Sequence, residues 1–165
     1  MTRIGIILGS TRPGRRGEQV ARWVLDIASK RTDASFDIID LADYPLPHLD
    51  EPGPPSLGNY QNDHTKQWSA RIDQYDGFVF VTPEYNHSTS GVLKNAIDYL
   101  HHEWANKAMG VVSYGAVGGA RAAEQPRSGA GAAQRPAARH HALFAGGKSA
   151  AAARERPHRP LPRIR

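Results

Sequence analysis

The 165-residue sequence predicts one α/β domain built on a parallel sheet covered on both faces. Two observations lead there. Short, near-continuously apolar runs alternate with segments whose apolar residues recur at helical spacing through the first 125 residues. Loops rich in glycine and hydroxyl groups follow the apolar runs, at the edge where such sheets hold ligands.

The elements follow in order. Arg3-Ile4-Gly5-Ile6-Ile7-Leu8 is a short β-branched run that ends at Gly9 and reads as a buried strand. From Arg16 to Lys30 the residues Val20, Val24, Ile27 and Ala28 form a helical face, broadened by Trp23 and Leu25. Phe36 to Leu41 is a second strand. The segment from Tyr44 to Pro55 holds too many prolines for regular structure. A helix from Thr65 to Tyr75 carries Trp68 and Ile72 on one side. Gly77 to Thr82 is the clearest strand, stopped by Pro83. Gly91 to Leu100 is an amphipathic helix, Ala108 to Tyr114 a fourth strand, and Gly118 to Glu124 the start of a further helix.

At Pro126 the composition changes. Residues 126–165 hold 11 Ala, 5 Pro and 9 Lys/Arg, with Leu143, Phe144, Leu161 and Ile164 as their large apolar side chains. Four such groups cannot supply a strand and an amphipathic helix, so most of this stretch is expected to be a disordered basic tail. Leu143 and Phe144 are the place for a short replacement edge strand. The charge divides in the same way. Residues 1–125 carry 12 Lys/Arg against 15 Asp/Glu, whereas the tail has Glu155 as its single acid. The net charge of +5 therefore belongs to the tail, and a nucleic-acid footprint across the domain is not expected.

Composition excludes other classes. Without cysteine there is no disulfide framework, thiolate nucleophile or zinc–thiolate site. The apolar run Ile6-Ile7-Leu8 is far too short for a membrane span, and Gly9-Ser10-Thr11 breaks any resemblance to a secretory signal. A cytoplasmic protein is expected. His101-His102 and His140-His141 lack a third ligand at a motif spacing, so no metal is expected.

Three loops carry the chemistry. In the first, Gly9, Gly14 and Gly17 let the backbone curl close to a ligand, Ser10 and Thr11 offer hydroxyls, and Arg12, Arg15 and Arg16 supply charge ahead of a helix N-terminus. It is neither a Walker loop nor a dinucleotide fingerprint, and a terminal phosphate monoester suits it. In the second, Pro83 stiffens the strand end, Tyr85 and Asn86 could pack on and bond to a flat polar ring, and Ser88, Thr89 and Ser90 can cap the next helix. In the third, Tyr114 can cover a ring face while Gly115, Gly118 and Gly119 permit close approach. Trp23, Trp68 and Trp104 lie outside these loops and read as core or interface groups. Lys94-Asn95 reads equally as capping or chemistry.

Gly9-Ser10-Thr11-Arg12, Pro83-Glu84-Tyr85-Asn86 with Leu93-Lys94-Asn95-Ala96-Ile97-Asp98, and Ser113-Tyr114-Gly115 with Gly118-Gly119 resemble the NADPH-dependent FMN reductase family over residues 3 to about 125. The resemblance implies a flavodoxin-like, doubly wound parallel sheet in the order 2-1-3-4-5. It implies FMN, its phosphate held by Ser10, Arg12 and the loop through Gln19 and Val20. Pro83, Glu84, Tyr85 and Asn86 would lie along the isoalloxazine, with Ser113, Tyr114 and Gly115 on its other flank. NADPH or NADH would deliver hydride to the flavin and then leave, and a quinone, flavin or azo-type acceptor would take its place. No side chain need act as an acid or base, since the cofactor carries the chemistry. A homodimer with the flavin near the subunit boundary is also implied. An FMN electron carrier of the flavodoxin type, without NAD(P)H activity, is the alternative. A non-catalytic module binding through its basic tail is a third reading.

That fold needs a fifth strand and a last helix, which the tail supports poorly. The resemblance stops at Gln125 in mid-helix, Pro126 interrupts the helix, and the Ala/Arg/Pro/Gly-rich remainder reads like GC-rich DNA translated out of frame.

Overall fold

The computed structural model describes residues 1–116, 118–129 and 141–145. In chain order these form β1 (Thr2–Leu8), α1 (Gly17–Ala28), β2 (Ala34–Asp40), α2 (Asp63–Asp73), β3 (Gly77–Pro83), α3 (Gly91–Asp98), β4 (Ala108–Tyr114), α4 (Ala120–Gly129) and β5 (His141–Ala145). The sheet is parallel throughout, in the order β2-β1-β3-β4-β5. The chain moves outward from β1 to β2, then returns to start β3 on the other side of β1. Connections therefore diverge between the carboxyl ends of β1 and β3, and a crevice opens there.

The two sheet faces are packed differently. On one, Ile6, Leu8, Val81 and Val112 meet Ala21 of α1. Gly17 and Ala21 are the buried residues of α1, while Trp23 and Ile27 are each 49% exposed. Of the expected face, Val20 and Val24 pack partly buried against this cluster together with Leu25, while Ile27 falls outside it and Gly17 and Ala21 take the closest positions. The reason is close approach: a Cβ on Gly17 would lie 2.6 Å from Leu8 Cδ1 and 2.8 Å from the Tyr114 hydroxyl. The other face is aromatic, with Trp68, Trp104, Phe78 and Phe80 buried together. Each indole N–H is satisfied by α3, Trp68 through Ala96 O at 2.8 Å and Trp104 through Ile97 O at 3.1 Å. Two of the three tryptophans are core, and Trp23 stands on the surface.

The proline-rich stretch between β2 and α2 has two short 3₁₀ turns, Leu41–Asp43 and Pro55–Leu57. Side chains hold it down. Asn95 donates to Pro47 O at 2.6 Å and accepts from Leu49 N–H at 3.1 Å. Asp50 accepts from the Tyr99 hydroxyl at 2.9 Å and from Asn62 Nδ2 at 3.0 Å. His102 Nε2 lies 2.8 Å from Ser56 O. Lys94 pairs with Asp98 one turn on at 2.5 Å, so the Lys94-Asn95 pair is engaged in structure.

Two features concern the tail. Helix α4 continues through Pro126 to Gly129, correcting the expected interruption. Proline removes one N–H donor and crowds the carbonyl four residues back, and the helix ends within one turn of it. β5 contains Leu143 and Phe144 and pairs with β4 through Val112↔Leu143 and Ser113↔Phe144, as the replacement edge strand requires. The expected disorder of the remaining tail, and its out-of-frame reading, concern residues outside those described.

Candidate functional site

The loops after β1, β3 and β4 meet at the crevice. Gly9 N–H donates to Val81 O at 2.8 Å, and its carbonyl accepts from Ser90 Oγ. Ser90 also accepts from Leu93 N–H at 3.1 Å, so one hydroxyl caps α3 and pins the first loop. A Cβ on Gly9 would lie 2.9 Å from Leu93 Cδ2 and 3.0 Å from Val81 O, which leaves room for glycine alone. Ser10, 1% exposed, shares a hydrogen bond of 3.0 Å with the Tyr85 hydroxyl. Next comes a turn in which Arg15 N–H reaches Arg12 O at 3.1 Å, with Pro13 leading and Gly14 at φ +68°. Thr11, Arg12 and Arg16 are exposed. The first-turn amides of α1 at Gly17 and Glu18 have no acceptor within the helix, and Arg16 supplies no side-chain cap. Gln19 and Val20 complete that turn, both donating to Arg16 O.

Arg15 behaves unlike its neighbours. Its Nη1 donates to Ser10 O at 2.5 Å and Asp40 Oδ1 at 2.8 Å, its Nη2 to Asp40 Oδ2 at 2.5 Å and Glu18 Oε1 at 2.9 Å, and its Nε to Glu18 Oε1 at 3.1 Å. Hydrogen bonding to Asp40 is the main reason its pKa is raised above the usual arginine value.

The second loop is a tight hairpin. Tyr85 N–H donates to Ser88 O at 2.9 Å and Ser88 N–H returns to Tyr85 O at 3.0 Å. The two central residues, Asn86 and His87, have φ of 48° and 65°, the left-handed pair that a two-residue turn demands. Asn86 therefore has a backbone task besides any contact of its amide. The turn presents Tyr85 37% exposed, at the edge of the crevice. Glu84 N–H donates to Tyr114 O at 2.8 Å and ties this loop to β4. The Glu84 side chain is 6% exposed, with Oε1 3.8 Å from Arg121 Nη1 and Oε2 without a partner.

In the third loop Gly118 N–H reaches Gly115 O at 3.2 Å, and Gly118 and Gly119 both have positive φ. A Cβ on Gly115 would lie 2.9 Å from that of Glu84. Ser113 is buried beneath Gly119 with its hydroxyl unpartnered. Tyr114 turns toward Gly17 and the first loop, and burial, with Tyr85 close by, pushes its phenol up to about 12. The three loops thus converge through Ser10–Tyr85, Gly17–Tyr114 and Glu84–Gly115.

Sequence reasoning missed the Arg15–Asp40 pair and the buried Thr82–Thr89 hydroxyl pair at 2.6 Å. Asp40 ends an apolar strand opposite Leu8, beside a loop of three arginines, and that was the signal available.

The sequence profile of the NADPH-dependent FMN reductase family matches residues 2–149, beyond the Gln125 at which the motif resemblance stops. The chain belongs to this family. It is 44% identical over 131 residues to an NAD(P)H-dependent FMN reductase of Schizosaccharomyces pombe, covering 78% of this chain and 66% of the relative. A quinone reductase of Pseudomonas putida is 33% identical over 125 residues, covering 70% of this chain and 62% of the relative. FerB of Paracoccus denitrificans, a flavoenzyme NAD(P)H:(acceptor) oxidoreductase, shares the fold with a TM-score of 0.66. That match has 23% identity and covers 84% of this chain and 78% of that one. The chain spans just under two thirds of the length of the Schizosaccharomyces reductase and of one from a Nectria species. The groups at the crevice fit FMN. Unpaired helix amides and the exposed Arg12 suit a phosphate, and the unpartnered carboxylate oxygen of Glu84 suits a polar ring edge.

Proposed function

We propose that this chain is an FMN-dependent NAD(P)H oxidoreductase acting on a small acceptor of the quinone, flavin or azo class. The observation that carries the reading is the convergence of three loops at the carboxyl ends of β1, β3 and β4, each bonded to another. In this reading Ser10, Thr11, Arg12, Gly17, Gln19 and Val20 hold the phosphate. Pro83, Glu84, Tyr85 and Asn86 line one flank of the ring, with Ser113, Tyr114, Gly115 and Gly118 on the other. FMN, when bound, supplies two-electron acceptance and return. The chain's part is orientation and electrostatics: Ser90 fixes the first loop, the Asn86-His87 turn presents Tyr85, and Pro83 stiffens the edge of the ring site.

A homodimer and a cytoplasmic location belong to the same reading. Apolar surface at the start of α3 supports the dimer. Val92 is more than a third exposed and lines a recess of about 260 Å³ with Leu41, Tyr44, Leu46 and Pro47. Among the described residues no helix is long and apolar enough to cross a membrane.

The test is the absorbance of the purified protein with added FMN, followed under anaerobic conditions. The reading expects flavin absorbance that NADPH or NADH bleaches and benzoquinone restores. A holoprotein that neither nicotinamide bleaches would be an electron carrier of the flavodoxin type. A protein that takes up no FMN would overturn both. Sedimentation of the holoprotein checks the dimer.

A further inference from the structure

An arginine in a phosphate loop is ordinarily read as a phosphate ligand, and Arg15 is placed where that reading is natural. Its donor inventory argues otherwise. A guanidinium has five N–H groups in a fixed fork. The five bonds from Arg15, to Ser10 O, both oxygens of Asp40 and twice to Glu18, occupy that number. The side chain is 11% exposed and Asp40 22%, so the pair is largely withdrawn from solvent. Two carboxylates neutralise the cation, and a dianion at the α1 N-terminus would gain little from its charge.

The partners describe a different task. Ser10 O accepts from the guanidinium, so this loop carbonyl is engaged by Arg15. Asp40 is the last residue of β2, and its Oδ1 also accepts from Ala42 N–H at 2.9 Å, which starts the 3₁₀ turn behind it. One side chain thus fastens a carbonyl of the β1 loop, the first turn of α1 and the end of β2 to one another. Arg12, three residues earlier, is exposed and has no ion pair among the described residues.

We infer that Arg15 is a positioning residue: clamped by Asp40 and Glu18, it holds the Ser10 carbonyl so that the amides of the loop and of α1 stay aimed at the phosphate, and it does not bind the phosphate itself. This rests on the FMN reading and adds a division of labour, in which Arg12 supplies charge and Arg15 supplies shape. Asp40 is then part of the cofactor-binding device although it touches no ligand.

The two roles predict opposite signs for Asp40→Asn. If Arg15 were a ligand restrained by Asp40, neutralising Asp40 would free the guanidinium and remove a negative charge, and FMN would bind tighter. A clamp predicts weaker binding despite the lost charge. The experiment titrates FMN and riboflavin, by flavin fluorescence, into apoprotein of the parent, Asp40→Asn, Arg15→Lys, Arg15→Gln and the Asp40→Asn/Arg15→Gln double variant. Urea melts of the same apoproteins run alongside. In Asp40→Asn and both Arg15 variants the FMN dissociation constant rises about tenfold, on the scale of one charge-assisted hydrogen bond, and that for riboflavin stays within about twofold. The double variant is no worse than either single one, since both break the same clamp. Arg15→Lys keeps the charge but loses the fork, so it gives no rescue.

Unchanged or tighter FMN binding in Asp40→Asn, additive losses in the double variant, or full rescue by lysine would overturn the inference. Equal losses for FMN and riboflavin, tracking the urea midpoints, would reduce Arg15 to a general stabiliser and overturn it as well. A parent protein that binds no FMN refutes the underlying reading, a result distinct from any of these.

Discussion

Arg12 and Arg15 sit in one loop with opposite surroundings, and the difference is measurable. Arg12 is exposed and forms no ion pair among the described residues, so its charge is available to a dianion. In the proposed reading Arg12→Ala removes a charge-assisted bond worth ~1.5–3 kcal/mol, and FMN affinity falls accordingly. Riboflavin, which lacks the phosphate, binds Arg12→Ala and parent alike; equal losses for both ligands would place Arg12 elsewhere. The tyrosines give a second residue-scale result. Burial is the main cause that raises Tyr114 and Tyr99 to about 12 and Tyr60 beyond that, from an ordinary value of 10.0. The folded state therefore holds these phenols protonated while the unfolded chain releases protons from pH 10 upward. Their contribution is complete below pH 10 and is lost as pH climbs toward 12. Thermal melts across that window should show a falling midpoint, and a flat profile would mean the phenols titrate alike in both states.

Helix α1 illustrates how an element trades propensity for proximity. Alanine favours helix over glycine by about 1 kcal/mol, so Gly17→Ala should help an isolated helix. Here the new Cβ would meet Leu8 Cδ1 at 2.6 Å and the Tyr114 hydroxyl at 2.8 Å. Overpacking of that kind costs ~1–3 kcal/mol, and the net expectation is a lower urea midpoint together with weaker FMN binding. A stabilised variant would show that α1 can shift away from β1 freely. Local spacing predicts that α1 is a helix. Which stripe of it is buried follows from contact with the sheet, and Ile27 stays half exposed because Gly17 and Ala21 take the close positions.

Among the described residues the sheet has one edge at β2 and the other at β5. β5 covers the ladder groups of Gly110–Tyr114 in β4, an apolar strand that would otherwise be an open template for association. A chain ending at Gly129 is expected to melt earlier and to scatter light on concentration, with unchanged melting and scattering as the contrary result. Ligand linkage acts on the same scale. FMN at a hundredfold excess over its dissociation constant adds ~2.7 kcal/mol to the native state if it binds no other state. A dose-dependent rise in Tm measures this, and a Tm indifferent to FMN would contradict binding to the native state.

Features governed by near neighbours along the chain are legible in the residues. Parallel strands buried on both faces read as continuous apolar runs, and glycines mark the loops because the backbone there turns or approaches closely. The motifs of the three loops carry the family and, through it, the strand order. Other features depend on registers that no local pattern encodes. The partner of Arg15 is one of them: the pairing of Leu8 with Asp40 sets a carboxylate beside it, 25 residues away in sequence. Ser90 caps its own helix by local rule, yet its bond to Gly9 O, 81 residues distant, exists because β1 and β3 lie side by side. The continuation of α4 through Pro126 runs against its local propensity. Propensity and periodicity act over a few residues, whereas the partner of a buried polar group is chosen by which strands become neighbours.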